Sequence, residues 1–586
     1  MKGRKILFFF LLSSLSLSLL SAGDTEVGAD DALLSDPGSG RESISKGNIT
    51  STAHAVNVLL KSSDSPAECI TPFIFSMIDD PSSRNSLPNN ALRFLEKRPS
   101  WKDEIVQRTA EGNFLIHYTK DKNTIDVIPL SDNDRNGIPD YVETIGQGLE
   151  EARRLFIETL GFHNPSARFS PGQPYEVYVV NLGGSVTGAT IPQMSEKIPG
   201  TDQMPSFMLI DSMILDDATI LKASAAHQFA HAITLAYTYK KEPWWSEATA
   251  IWLEDRLFHT LPRYGDALGF RLKNKGKALN AENFRLTQGN ALWAFFLGEK
   301  DVSLIRKTWE EMELFPENSL IESFAAVLER EGYGSLQNNF SDYAIWNYFT
   351  GSKNDGNHFL FADILPDPVF DSSHATYPAV AVQSENPVES FGASFVRLES
   401  ERTRGAVIVN FDGDQSCHWE VDMLLVSDAQ PRYFRSKMTV SPSGHGSIGI
   451  PWQKISEVIM IVKNLSCEER SAGKFSFTAS CDPSYPFELS FFTAMVEEGN
   501  ISLQWETASE TSLFGWNIYR STEPEHNFSR INEIIIPALG DPSNSIIYKF
   551  LDDSVRQSVK YYYYIEGITL EGLTCQTPVS SANIKE

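Results

Sequence analysis

Two histidines four residues apart, His227 and His231, followed after a break at Lys240 to Pro243 by Glu247, constrain this 586-residue chain more than any other feature. At that spacing both imidazoles leave one face of a helix and can reach a common point. Glu247 lies in Trp244-Trp245-Ser246-Glu247-Ala248-Thr249-Ala250-Ile251-Trp252-Leu253-Glu254-Asp255, which reads as a second helix opened by Pro243 in its first turn. Ala225, Phe229, Ala232, Ile233 and Ala236 form an apolar stripe beside the histidine face, and Ala248, Ile251, Trp252 and Leu253 follow Glu247. The fold must therefore close two helices into a tight hairpin. Two imidazoles and a carboxylate then form a donor set suited to Zn²⁺. Glu254 and Asp255, seven and eight residues beyond Glu247, are candidates to orient a ligand imidazole. The competing reading, two half-buried histidines and a solvated glutamate, leaves the order and spacing of three ligand-type residues unexplained.

Position 228 carries the chemical anomaly. Where this helix pattern hydrolyses peptides, a Glu beside the first histidine takes a proton from the metal-bound water. Here the residue is Gln228. An amide keeps the shape of a carboxylate and hydrogen-bonds water, but it does not accept a proton near neutrality. General-base assistance contributes about 10² to 10⁴-fold, so the expectation is a metal site with hydrolysis lost or greatly reduced.

His227-x-x-x-His231, Tyr237, the run from Trp244 to Asp255, and Asp342-Tyr343-Ala344-Ile345-Trp346-Asn347-Tyr348-Phe349-Thr350-Gly351 resemble the secreted bacterial metallopeptidases of the myxobacterial type. The likeness runs from about residue 65 to 480. That family is gluzincin-like, and the resemblance implies a zincin fold with His227, His231 and Glu247 as zinc ligands. It also implies an edge strand that aligns a peptide, a binding mode that outlives loss of the base. The chain departs from the family at Gln228, and at Gln288-Gly289, where relatives carry Tyr-Gly.

The loop Asp132-Asn133-Asp134-Arg135-Asn136-Gly137-Ile138-Pro139-Asp140-Tyr141-Val142-Glu143 matches a twelve-residue calcium loop. Asp132, Asp134, Asn136, Asp140 and Glu143 would supply side-chain oxygens and Ile138 its carbonyl, around Ca²⁺ in a structural role. Pro139 argues for a lone loop, and the alternative is an Asx-rich turn that caps the following helix.

Met1 to Lys5 is basic, Ile6 to Leu20 is apolar with interspersed serines, and Ser21-Ala22-Gly23 is small, which is the pattern of a signal peptide. The expected destination is the exterior, the cell surface or the periplasm, with no transmembrane segment in the mature chain. A formal charge of −26 disfavours nucleic acid and anionic membranes and leaves a peptide or protein as the expected partner. Of the five cysteines, Cys417, Cys467 and Cys481 fall in one β-rich stretch where a bridge is plausible. None of the five has metal-ligand spacing.

The expected architecture is multidomain: an α+β zincin-like metallopeptidase domain followed by two β-sandwich domains. Residues 1–23 form the signal, 24–65 a flexible Ser/Asp/Gly-rich leader, 66–371 the zincin-like domain, 372–483 a β-sandwich and 484–586 a fibronectin type III-like module. Strands are expected at Phe114–Tyr118, Tyr175–Val180 and Phe207–Asp211, and helices from about 265 to 351. The last module is read from Trp505, Trp516 and the tyrosine run at 561–564, whose alternate members should face core and solvent. These features predict an exported, zinc-binding but catalytically impaired peptidase homologue that retains peptide or protein binding. An active peptidase with another base, and a surface adhesion protein with a scaffold zincin domain, are the rivals.

Overall fold

The computed structural model describes Cys69, Thr71, Pro72, Ile74 and residues 97–583, apart from 184–185, 215–216, 240–242, 282, 400–405, 428–432, 453–454, 468–470, 483–486, 498, 511–512, 525, 541–544, 571–573 and 578. The expected signal peptide and leader lie outside the described residues. Among those described, no helix is long and apolar enough to cross a membrane.

The first region is a five-stranded sheet with helices against it. The strands are β1 Glu104–Arg108, β2 Phe114–Thr119, β3 Tyr175–Val180, β4 Gly188–Pro192 and β5 Ser206–Asp211, in the order β1-β2-β3-β5-β4. β2, β3 and β5 run parallel, while β1 and β4 are antiparallel additions at the two edges. β2, β3 and β5 occupy the positions expected from their apolar runs. β4, Gly-Ala-Thr-Ile-Pro, is a strand that sequence periodicity passes over, because glycine and proline demote a short run.

Helices α1 Asp140–Arg153, α2 Pro165–Phe169, α3 Ala218–Leu235 and α4 Pro243–Phe258 follow the strands, with six further helices between Gly265 and Trp346 among the described residues. α3 begins where Asp217 accepts the Thr219 N–H at 2.7 Å, and from Ala223 to Leu235 every residue is buried. A helix buried all round must have neighbours on every side, and small residues admit them. A Cβ on Gly148 of α1 would lie 2.7 Å from Lys222 Cα, and one on Gly188 of β4 would lie 2.7 Å from Gln228 Cγ. Both glycines are therefore demanded by close approach to α3.

The remainder is β-rich, so the whole is a multidomain α+β protein. Strands Gly392–Glu399, Trp419–Ser427, Tyr433–Met438 and Ile455–Asn464 share one sheet. Ile459 and Ile461 join the core of the helical region, while Val458, Met460 and Val462 enter a second core beneath the next sheet. This sheet is covered on both faces, which accounts for the unbroken apolar run at 458–462. Strands 406–413, 445–451 and 475–482 form the facing sheet, and a parallel pairing of Gly449 with Cys575 continues it into strands 513–521 and 560–569. The C-terminal core nevertheless remains distinct, built on Leu503, Trp505, Trp516, Ile518, Tyr561 and Tyr563. Tyr561 and Tyr563 are buried, Tyr562 and Tyr564 half-buried, as strand alternation requires.

Cys417, Cys467 and Cys481 are free thiols, so the expected bridge among them does not form. Cys417 lies beside Ser471 and Cys481 beside Trp452 Nε1, at 3.4 and 3.5 Å, while Cys467 is exposed.

Candidate metal centre

His227 and His231 on α3 and Glu247 on α4 meet in the interior, each at most 3% exposed. Their donor atoms nearly touch: His227 Nε2 to His231 Nε2 3.1 Å, Glu247 Oε2 to His231 Nε2 3.2 Å, and Glu247 Oε2 to His227 Nε2 3.5 Å. A fourth group, unexpected from the sequence, joins them. Cys69 Sγ lies 3.3 Å from His231 Nε2, and the four ligand atoms all fall within 4.8 Å of one another. The reading that no cysteine is placed for a metal is thereby corrected. Spacing rules detect ligands that share a helix or a hairpin, whereas Cys69 and His231 are 162 residues apart.

The outer hydrogen bonds settle what faces the centre. His227 Nδ1 meets Glu254 Oε2 at 2.9 Å, and Glu254 also accepts the Tyr264 hydroxyl at 2.7 Å. His231 Nδ1 meets Ser246 Oγ at 2.9 Å. Thr234 Oγ1 donates to the His231 carbonyl at 3.0 Å and lies 2.7 Å from Ser246 Oγ, so the Ser246 proton points to Thr234 and its oxygen accepts from His231. With both Nδ1–H groups so used, each imidazole in its neutral form turns its Nε2 lone pair inward. Glu247 Oε2, buried and without a hydrogen-bond donor, faces them. Three such electron pairs at contact distance require a cation among them, proton or metal. A regular tetrahedron with bonds of ~2.0–2.1 Å has edges of about 3.3–3.4 Å, close to the spacings above. The residues fit a metal ion.

Electrostatics among these residues are mutually reinforcing. Burial pushes the Cys69 thiol up, but His231 and His227 outweigh it and bring it down to about 6. Burial opposes charge on His227 and His231, yet Glu247 and Cys69 hold His227 well above its ordinary range, and Cys69 with Glu247 raises His231. Burial also opposes ionisation of Glu247, and the two imidazoles override it, so its carboxyl lies below the usual range.

Gln228 is fully buried and both ends of its carboxamide are hydrogen-bonded. Its oxygen accepts from Thr71 Oγ1 at 2.9 Å and from Thr190 Oγ1 at 3.0 Å, and its Nε2 donates to Cys69 Sγ at 3.3 Å. Gln288 Nε2 donates to Glu247 Oε1 at 3.4 Å. Of the two acidic residues expected around the ligands, Glu254 takes that place and Asp255 does not. Asp255 instead accepts the Leu261 N–H at 2.7 Å beyond the end of α4. Helix geometry explains the difference: seven residues return to within about 20° of Glu247, eight fall about 80° away.

Asp132, Asp134, Asn136 and Ile138 lie in an exposed or half-exposed loop, and Asp140 and Glu143 follow in the first turn of α1. Asp132 accepts the N–H groups of Asn136 and Gly137 at 3.1 and 3.0 Å, Asp134 that of Asn136, and Asp140 that of Asn133. Glu143 Oε1 accepts from Asn136 Nδ2 at 2.7 Å. Asp132, Asp134 and Asp140 thus form Asx-type bonds to backbone N–H groups of the loop. Among the described residues the Cys69 cluster alone gathers three or more ionisable ligands to one point.

No described family matches the chain, and no curated protein matches it. Among solved structures it is similar in part to a Fn3-like protein from Clostridium thermocellum, at 17% identity and a TM-score of 0.13 over 17% of this chain and 92% of that one. An adhesin domain of Epf from Streptococcus pyogenes is 13% identical over 33% of this chain and 72% of its own, with a TM-score of 0.13. A β-1,2-glucanase from Parabacteroides distasonis is 11% identical over 37% of this chain and 34% of its own, again at 0.13. This chain thus spans about a third of that glucanase. Scores of this size fix no shared fold.

Proposed function

We propose that the protein is an exported zinc-binding homologue of metallopeptidases that holds a peptide or protein segment and does not turn it over efficiently. In this reading residues 66–371 are zincin-like, 372–483 and 484–586 are β-sandwich modules, the last fibronectin type III-like, and His227, His231 and Glu247 hold Zn²⁺. The observation that carries it is the convergence of those three donors beside Gln228, an amide where a proton acceptor would have to stand. Bound zinc would polarise a carbonyl or a water. The chain's own residues hold the imidazoles in their tautomers through Glu254 and Ser246, and Gln228 offers no site for the proton. β4 is the outer strand of the sheet, the edge along which an extended chain could add if the Cys69 contact were released. Calcium in the 132–143 loop belongs to the same reading, as a clamp at the start of α1.

The test compares Cys69→Ser with Cys69→Ser/Gln228→Glu, so that the Cys69 sulfur is absent from both. The restored carboxylate should raise chelator-sensitive peptide hydrolysis about 10² to 10⁴-fold. Equal, substantial hydrolysis by both would mean that another base serves and would overturn the reading.

A further inference from the structure

The donor set offers more than three ligands, and the inference below rests on the zinc-binding reading just given. Cys69 is 2% exposed and sits across from Gly188 in a parallel bridge, so its backbone meets the first residue of β4, on the edge where a substrate strand would add. The chain then turns helical at Thr71, Pro72 and Ile74, and a side chain carries the contact further. Thr71 and Ile74 are buried at 0% and 2%, and the Thr190 N–H of β4 donates to Thr71 Oγ1 at 2.9 Å. Thr71 Oγ1 in turn donates to Gln228 Oε1. A lone buried cysteine would say little. Here its sulfur stands with two imidazole nitrogens and the donor-less, buried Glu247 Oε2, all directed at one volume.

Gln228 gains a meaning in this setting. A metal-bound cysteine is a thiolate. The Gln228 Nε2–H aimed at Sγ is the group a thiolate needs, whereas a carboxylate at 228 would put a second anion against it. The same amide is the receptor for the Thr71 and Thr190 hydroxyls. The residue that disables a base also suits a sulfur ligand.

We propose that Cys69 is the fourth ligand of a closed Cys-His-His-Glu zinc site, and that Cys69 and Thr71 obstruct the β4 edge at Gly188 and Thr190. The resting chain then presents neither an open coordination position nor a free edge strand. A tethered ligand of this kind works at high local concentration, so it excludes peptides in solution unless the segment is displaced. Three-ligand sites with an open position are the catalytic form of zinc, and four-ligand sites the structural form.

The test uses the full chain. X-ray absorption at the zinc edge of the wild type should show one sulfur neighbour at about 2.3 Å together with nitrogen and oxygen neighbours at about 2.0–2.2 Å. Co²⁺-loaded wild type should show the thiolate-to-metal charge-transfer band, and Cys69→Ser should lose it while still binding the metal. Because Cys69→Ser could misfold, the wild type supplies a second measurement: alkylation of Cys69 should be blocked with zinc bound and appear on chelation. Metal bound without a sulfur neighbour, or Cys69 equally alkylated with and without zinc, overturns this inference and leaves the zinc-binding reading intact. A wild-type chain that takes up no metal overturns both.

Discussion

Two buried clusters of ionisable groups in this molecule solve the same problem in opposite ways. At the interface between helix Leu336–Trp346 and the first β-rich sheet, Lys463 and Asp422 are both fully buried and bonded to each other. Lys463 also reaches Glu420 at 2.7 Å, and Arg435 reaches Asp422 at 2.9 Å and Asp342 at 3.2 Å. The chain supplies its own cations there, each with hydrogen-bond geometry. At α3 and α4 the inward-facing atoms are two imidazole nitrogens, a thiol sulfur and a carboxylate oxygen, with no Lys or Arg among the four. A third case, half-buried, has no ion pair among the described residues. Glu299 is held by the Leu360 N–H at 3.2 Å, and burial pushes its carboxyl from 4.5 up to about 7. A buried anion thus finds a cation in the chain, takes one from solution, or stays protonated. The lack of a Lys or Arg among its four donor groups is what marks the α3–α4 cluster as the candidate metal centre.

Removing zinc should have the largest effect. Structural zinc contributes on the order of 10–16 kcal/mol of binding free energy in zinc-finger peptides. His231→Ala should lose bound metal altogether, from about one ion per chain, and unfold at lower temperature. Chelation should destabilise the wild type and leave that variant unmoved. A chelator-insensitive wild type would erase the contrast between the clusters. Lys463→Met comes next, because it strands Asp422 in the interior at a cost of about 3–5 kcal/mol, read from denaturant unfolding and unaffected by chelator. Acid should reach the same cluster. Burial opposes ionisation of Asp422, but Arg435 and Lys463 hold its carboxyl below the usual range, so its contribution is present above about pH 4 and lost as pH falls further.

Glu299 should show the reverse sign. Its folded-state carboxyl is raised, so the native state holds a proton that the unfolded chain has released, and stability should decline as pH climbs from 4.5 to about 7. Glu299→Gln should flatten that slope and be the more stable protein at alkaline pH, as thermal melts across pH would reveal. The smallest effect is expected from calcium. At tenfold over its dissociation constant it would add about 1.4 kcal/mol, and Asp132→Asn should abolish the gain in melting temperature. Equal melting with and without calcium would assign the 132–143 loop to a turn alone.

Much of the centre is readable in the chain because α3 and α4 are regular and adjacent. Spacing places His227 beside His231, Trp-Trp-Ser-Glu brings Glu247 onto the next helix, and the helical period favours Glu254 over Asp255. The long apolar runs likewise announce β2, β3 and β5. Strand β4 escapes because its burial comes from α3 above it rather than from any alternation of its own residues. Ser246 escapes because its role depends on a chain of hydroxyl protons running through Thr234.

From local order alone, then, come the helix pair, two imidazoles, one carboxylate and the loss of a proton acceptor at 228. These follow from periodicities within a few turns. That a fourth donor joins the cluster, what Gln228 bonds to and which strand edge lies beside it were decided only when Cys69, β4 and α3 were brought together. Those contacts span more than a hundred residues, and no short-range pattern records a pairing whose cost is loop closure and whose return is burial.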